Sequence, residues 1–138
     1  AAVAVAVTFV WLGMVLAISF LEAPLKFRAP GLELRVGLAI GRIVFRALNT
    51  AEAVWAIVVA AMLIVHTPSV LAAVAGCTSI AVLAVQLLLV RPRLNRHSDR
   101  VLAGEDAPRS RSHHAYIAAE TGKVTALAVL AAALLATL

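Results

Sequence analysis

Long uncharged stretches alternate with short charged ones along the chain. Ala1 to Leu21 and Val70 to Val90 each run for 21 residues without a charged side chain. Runs of that length match the width of a bilayer better than the core of a soluble domain. Two further apolar segments, about 44–65 and 115–138, carry a few polar residues in one half only. The pattern predicts an all-α integral membrane four-helix bundle, one transmembrane domain over 1–138, with spans at about 3–21, 44–65, 70–90 and 115–138. The first run has no basic leader and exceeds a signal-peptide core in length, so it reads as a true span. Proline in Glu22-Ala23-Pro24 is expected to stop that helix, and Pro30-Gly31 marks a turn. Leu32 to Ile40 alternates like a strand, but a strand beside lipid would leave its backbone unpaired, so a helix is predicted. Unbroken from Leu32 to Val65 it would be ~51 Å long, too much for one crossing. An interfacial elbow bent near Gly37 or Gly41 is therefore expected before the second span. His66-Thr67-Pro68-Ser69 reads as a tight hairpin. Arg91 to Arg100 is a basic run, and Gly104 to Pro108 is a turn-rich linker.

Composition supports the membrane reading. Of 138 residues 63% are hydrophobic and 14% charged, with a mean hydropathy of +1.00; soluble domains carry about 25% charged residues. A net charge of +5 and a pI near 10.7 would suggest nucleic acid in a soluble protein. Here the basic residues flank apolar spans, where they set orientation, and nucleic-acid binding is set aside. All twelve Lys and Arg lie in or beside the connections 24–43 and 91–113. With Lys26, Arg28, Arg91, Arg93 and Arg96 as the orienting charges, those connections are predicted cytoplasmic and both termini outside. The single cysteine, Cys77, excludes an internal disulfide.

The polar residues form one-sided stripes. As a helix, His113, Tyr116, Glu120 and Lys123 fan across only about 80° of one face. The fifteen residues after Lys123 are uncharged and rise roughly 22 Å, short of the ~30 Å hydrocarbon slab. Glu120 and Lys123 are therefore expected inside the membrane or at its rim. Similar stripes are Ser19/Glu22/Lys26, Arg42/Arg46/Asn49/Glu52 and Ser79/Gln86/Arg93. Glu52 stands six residues inside Arg46, ~9 Å deeper. Ionisable groups at such depth usually face a bundle interior. Glu22, Asn49, Glu52, Gln86, His113, Tyr116, Glu120 and Lys123 are thus predicted to form a cluster near the cytoplasmic side, capped outside by an apolar plug. Plainer readings stand beside this one. Glu120 and Lys123 form an i,i+3 pair, Glu52 pairs with Arg46 or Asn49, Glu22 is a surface carboxylate, His113 and His114 are solvated, and Gln86 bonds between helices. A metal site from Glu52, Glu120 and His113 has only weak support without a paired-histidine motif. His66 and His113/His114 stand at opposite surfaces, which argues against haem. No cofactor is assigned, and no catalytic constellation is visible.

Ser19-Phe-Leu-Glu-Ala-Pro-Leu-Lys-Phe27, Gly41-Arg-Ile-Val-Phe45, Asn49-x-x-Glu52 and Pro92-x-Leu-x-x-Arg96 carry a resemblance that continues through Gly104, Ser110, His113, Tyr116, Glu120 and Lys123. On these residues the chain resembles small bacterial four-helix membrane proteins of unknown function. More distantly it is similar to eukaryotic transmembrane proteins linked to arsenical and platinum-drug resistance, and to copper-resistance D membrane proteins. The resemblance implies a bacterial cytoplasmic (inner) membrane location, a four-helix bundle, and transport or export of small solutes. One cysteine and two methionines do not make a soft-metal relay.

Three functional classes follow. The first is a small transporter of a solute or ion, working as a homo-oligomer, with Glu52 and Glu120 binding a proton or cation. The second is an accessory subunit of a larger membrane complex, with the basic face toward a partner or anionic lipid. A membrane enzyme using a Glu or His base has the least support.

Overall fold

The computed structural model describes residues 2–66, 68–104 and 111–138. Thr67 of the hairpin, the Glu105 to Pro108 part of the linker, Arg109 and Ser110 lie outside them. The described residues contain helices and turns and no strand. Four long helices make the bundle: α1 (Ala2–Arg28), α2 (Leu34–Val65), α3 (Val70–Leu102) and α4 (Arg111–Leu135). All four are long and apolar enough to cross a membrane. They run up, down, up, down, and α4 is the central packing element, lying mainly on α3 and then on α1. One end of the bundle, the hairpin end, holds His66 and Ser69 between α2 and α3, and the other, the charged end, holds most of the basic residues.

The bundle exposes large apolar side chains and buries its central charges. Ile64 and Leu88 are 84% and 74% exposed, whereas Glu52 and Lys123 are 0% exposed. Lipid solvates the first pair as well as protein would, while charged groups gain only by meeting each other. In the hairpin-end half the core is Trp11, Val15, Val59, Leu127 and Leu130, interleaved with Ala56, Ala72, Ala75 and Ala133. Small residues let helix backbones approach where no hydrophobic drive exists. Gly76 shows the tolerance, since a Cβ there would sit 2.5 Å from Leu63 Cδ1. Ser69 caps α3 by accepting a hydrogen bond from the Ala72 N–H at 3.2 Å.

Three boundary expectations are corrected. Pro24 does not stop α1, because the preceding residues Leu16–Glu22 form a π-helical stretch in which the Ala23 N–H bonds the Ile18 carbonyl, five residues back. A widened turn relieves the clash between a proline ring and the carbonyl four residues earlier. The same device precedes Pro92: Gln86–Val90 is π-helical, with the Arg91 N–H on the Gln86 carbonyl. Helix α3 therefore continues through the basic run to Leu102. The elbow before α2 is not a separate element. Leu34 to Val65 is one helix of 32 residues, ~48 Å long, more than the ~30 Å hydrocarbon width. Gly37 and Gly41 allow close approach: a Cβ at Gly37 would overlap the Phe27 ring, and one at Gly41 would lie 3.0 Å from Lys26 Nζ.

Candidate functional site: a buried charge cluster beneath a vestibule

Each helix contributes to one polar cluster about 20 Å from the hairpin end on the helical rise. Helix α4 supplies Glu120 and Lys123 one turn apart, α2 supplies Glu52, α3 supplies Gln86, and α1 supplies Trp11 and Ser19. The Lys123 ammonium is its hub. It pairs with Glu52 Oε1, pairs with Glu120 Oε1 at 2.6 Å, and donates to Gln86 Oε1 at 2.8 Å. Trp11 Nε1 donates to Glu52 Oε1 at 3.0 Å. Gln86 Nε2 donates to Glu120 Oε1 at 3.3 Å, and Ser19 Oγ donates to Glu120 Oε2 at 2.6 Å. Glu52, Gln86, Glu120 and Lys123 are all buried. An isolated buried charge would be prohibitive, so the cluster persists through its mutual contacts.

Two of the bonding groups sit in the π-helical segments. Ser19 lies within Leu16–Glu22 and Gln86 opens Gln86–Val90. Both reach Glu120. The widened turns that accommodate the prolines also deliver the side chains holding this carboxylate.

The charges do not balance. Glu52 and Glu120 share one ammonium, so with all three groups ionised the cluster holds one negative charge in excess. A proton or a monovalent cation would neutralise it. Two buried acceptors stand ready on α2, where neither Glu52 Oε2 nor Asn49 Oδ1 has a hydrogen-bond partner.

Toward the charged end the cluster opens into a vestibule of about 460 Å³ between all four helices. Glu120 and Ser19 belong to its lining, together with Tyr116, Arg91, Lys26, His113 and apolar walls that include Phe27, Phe45 and Leu94. The Tyr116 ring meets Phe45 edge-on, with centroids 5.8 Å apart. The Arg91 guanidinium lies 4.5 Å from the Tyr116 centroid and 5.0 Å from that of Phe45. Lys26 Nζ is 5.5 Å from the Phe27 ring and 6.0 Å from Phe45. Aromatic faces thus hold two cations at the cavity wall. At the hairpin end a second cavity of about 320 Å³, lined in part by Thr8, Met62, His66 and Thr137, hollows the apolar half.

Of the residues singled out in the sequence, the structure brings together Glu52, Gln86, Glu120 and Lys123. Asn49 is buried one turn from Glu52, and Tyr116 and His113 line the vestibule. Glu22 does not join them: it is half-buried and pairs with Lys26 at 3.8 Å. The Arg42–Glu52 stripe splits. Arg42 pairs with Asp99 across the charged end, and Arg46 is exposed. Glu52 pairs with Lys123 instead of Arg46. Ser79 is buried but bonds the Ala75 carbonyl of its own helix at 2.9 Å. Of the orienting charges, Arg28, Arg93 and Arg96 are exposed, while Lys26 and Arg91 line the vestibule. Among the described residues no three His, Cys, Asp or Glu side chains gather as a metal site.

Trp11 is the member that sequence reading misses. Within Ala1 to Leu21 only Thr8, Trp11 and Ser19 bear hydrogen-bonding side chains, and on a helix they fall within about 80° of one another. That clustering was the available signal. No family model matches the chain, and no curated protein or solved structure is significantly similar to it.

Proposed function

We propose that this chain is a small-solute transporter of the bacterial cytoplasmic membrane, coupled to a proton or monovalent cation held by Glu52 and Glu120. The charged end then faces the cytoplasm and both termini lie outside, as the clustering of basic residues supports. The observation that carries the reading is the excess of one carboxylate in a lipid-shielded cluster directly beneath a vestibule. An intramembrane carboxylate left partly unpaired is the usual element of an ion-coupled pathway. A unit of four helices is small for alternating access, so a homo-oligomer is the working form. The resemblance to resistance-linked transmembrane proteins points to export. In proteoliposomes, Glu52→Gln, which removes the excess charge, is expected to abolish ion-coupled solute flux while the helical spectrum stays unchanged. Flux at the wild-type rate in that variant would overturn the proposal.

The alternative is an accessory subunit of a larger membrane complex. What favours it is the saturation of Lys123 and Glu120, which touches all four helices and would serve equally as a lock. Native mass spectrometry of the extracted protein separates the readings, since stoichiometric foreign chains are expected only for the subunit.

A further inference from the structure

The vestibule has a chemistry of its own. Most of its charged lining is already engaged: Arg42 with Asp99, and Glu120 with Lys123, Gln86 and Ser19. Lys26 has Glu22 only at 3.8 Å. Arg91 is different. It lies against the Phe45 and Tyr116 rings, and its Nε and Nη2 are buried with no hydrogen-bond partner. Tyr116 is only 7% exposed. The Nε and Nη2 hydrogens of an arginine form one edge of its planar fork, the edge that takes both oxygens of a carboxylate. On Arg91 that edge is unused.

We propose that the vestibule binds a small organic monocarboxylate, with its carboxylate on Arg91 and its apolar body against Phe20, Phe27, Phe45, Leu94 and Ile117. The volume of about 460 Å³ falls in the range of small-molecule sites, roughly 300–1,000 Å³. The apolar walls exclude a fully hydrated ion. A phosphate dianion is disfavoured because Glu120 forms part of the lining and only Arg91 offers an unused fork. The inference names a solute class for the transport reading and rests on that reading for its biological role. The binding itself stands on the vestibule alone.

The experiment is equilibrium dialysis of radiolabelled benzoate against the full chain in nanodiscs of zwitterionic lipid, with empty nanodiscs as blank. Saturable benzoate binding is expected, displaced by unlabelled benzoate or cyclohexanecarboxylate and not by benzyl alcohol or inorganic phosphate. Arg91→Gln is expected to weaken it about tenfold or more. Arg91→Lys, which keeps the charge but loses the fork, should weaken it less. Leu94→Trp fills the cavity with Arg91 intact and should also lower affinity, which keeps the test sound if Arg91→Gln does not fold. Absence of saturable binding, equal displacement by benzyl alcohol or by phosphate, displacement by added phosphatidylglycerol alone, or unchanged affinity in folded Arg91→Gln and Leu94→Trp would each overturn the inference. Benzoate binding without any flux would sink the transport reading and leave the site. Coupled flux of other solutes without benzoate binding would do the reverse.

Discussion

The two halves of the bundle solve the same packing problem by different physics. Near the hairpin, helices approach because alanine and glycine leave room, and Trp11, Leu127 and Leu130 fill what remains. Among the described residues the directional contacts of this half are the threonine and serine bonds to their own helices, such as Thr8 to the Ala4 carbonyl at 2.7 Å, and two tryptophan bonds at its inner edge, Trp11 to Glu52 and Trp55 to the Met14 sulfur at 3.2 Å. Toward the charged end the helices are joined by a few directional contacts converging on one ammonium. The first half should lose stability in proportion to removed volume. The second should fail abruptly when one member is taken away, and should tolerate neutralisation of the whole set.

Removing the hub sharpens that contrast most. Lys123→Met strands two buried carboxylates and is expected to cost ~3–5 kcal/mol, the usual penalty for breaking a buried pair on one side. Adding Glu52→Gln and Glu120→Gln to the same chain should recover most of the loss. Equilibrium unfolding in bicelles, followed by circular dichroism, reads both. If the single variant is as stable as wild type, the charges do not hold the bundle together. In the apolar half, Leu130→Ala should cost ~2–3 kcal/mol by loss of packing, with no recovery from any polar change. A loss as large as that of Lys123→Met would erase the distinction between the halves. At the exposed edge, Arg42→Ala breaks the pair with Asp99 and should change stability by less than ~1 kcal/mol, as surface pairs do. The same unfolding curves decide it.

Much of this was legible in the chain because lipid restricts the options. A bilayer admits only helices or closed barrels, so uncharged runs gave the four spans. Glu52, Gln86, Glu120 and Lys123 stand in apolar stretches, where a polar group gains only by turning inward. Glu22 and Arg46 sit nearer the charged end of the bundle than Glu52, and stripe geometry alone could not tell them from true insiders. The elbow and both helix ends were misjudged for one reason. Proline and length rules assume α-helical pitch and a helix that stops at the membrane surface. Pro24 and Pro92 instead follow widened turns, and α2 and α3 are longer than a single crossing needs. Arg91 read as an orienting charge because a sequence pattern does not reveal which rings flank a guanidinium.

Those widened turns have one more consequence. Each holds a supernumerary residue, so everything beyond it is turned by about 100° from where an ordinary helix would carry it. Forcing Leu16–Glu22 into α-helical pitch without removing a residue would swing Lys26 and Phe27 off the cavity wall, and doing so in Gln86–Val90 would do the same to Arg91 and Leu94. The N-terminal stretches of both helices would keep their seats. The identity of the groups awaiting a solute is thus set by phase, by one added amino acid in each of two helices, as much as by which side chains the chain contains.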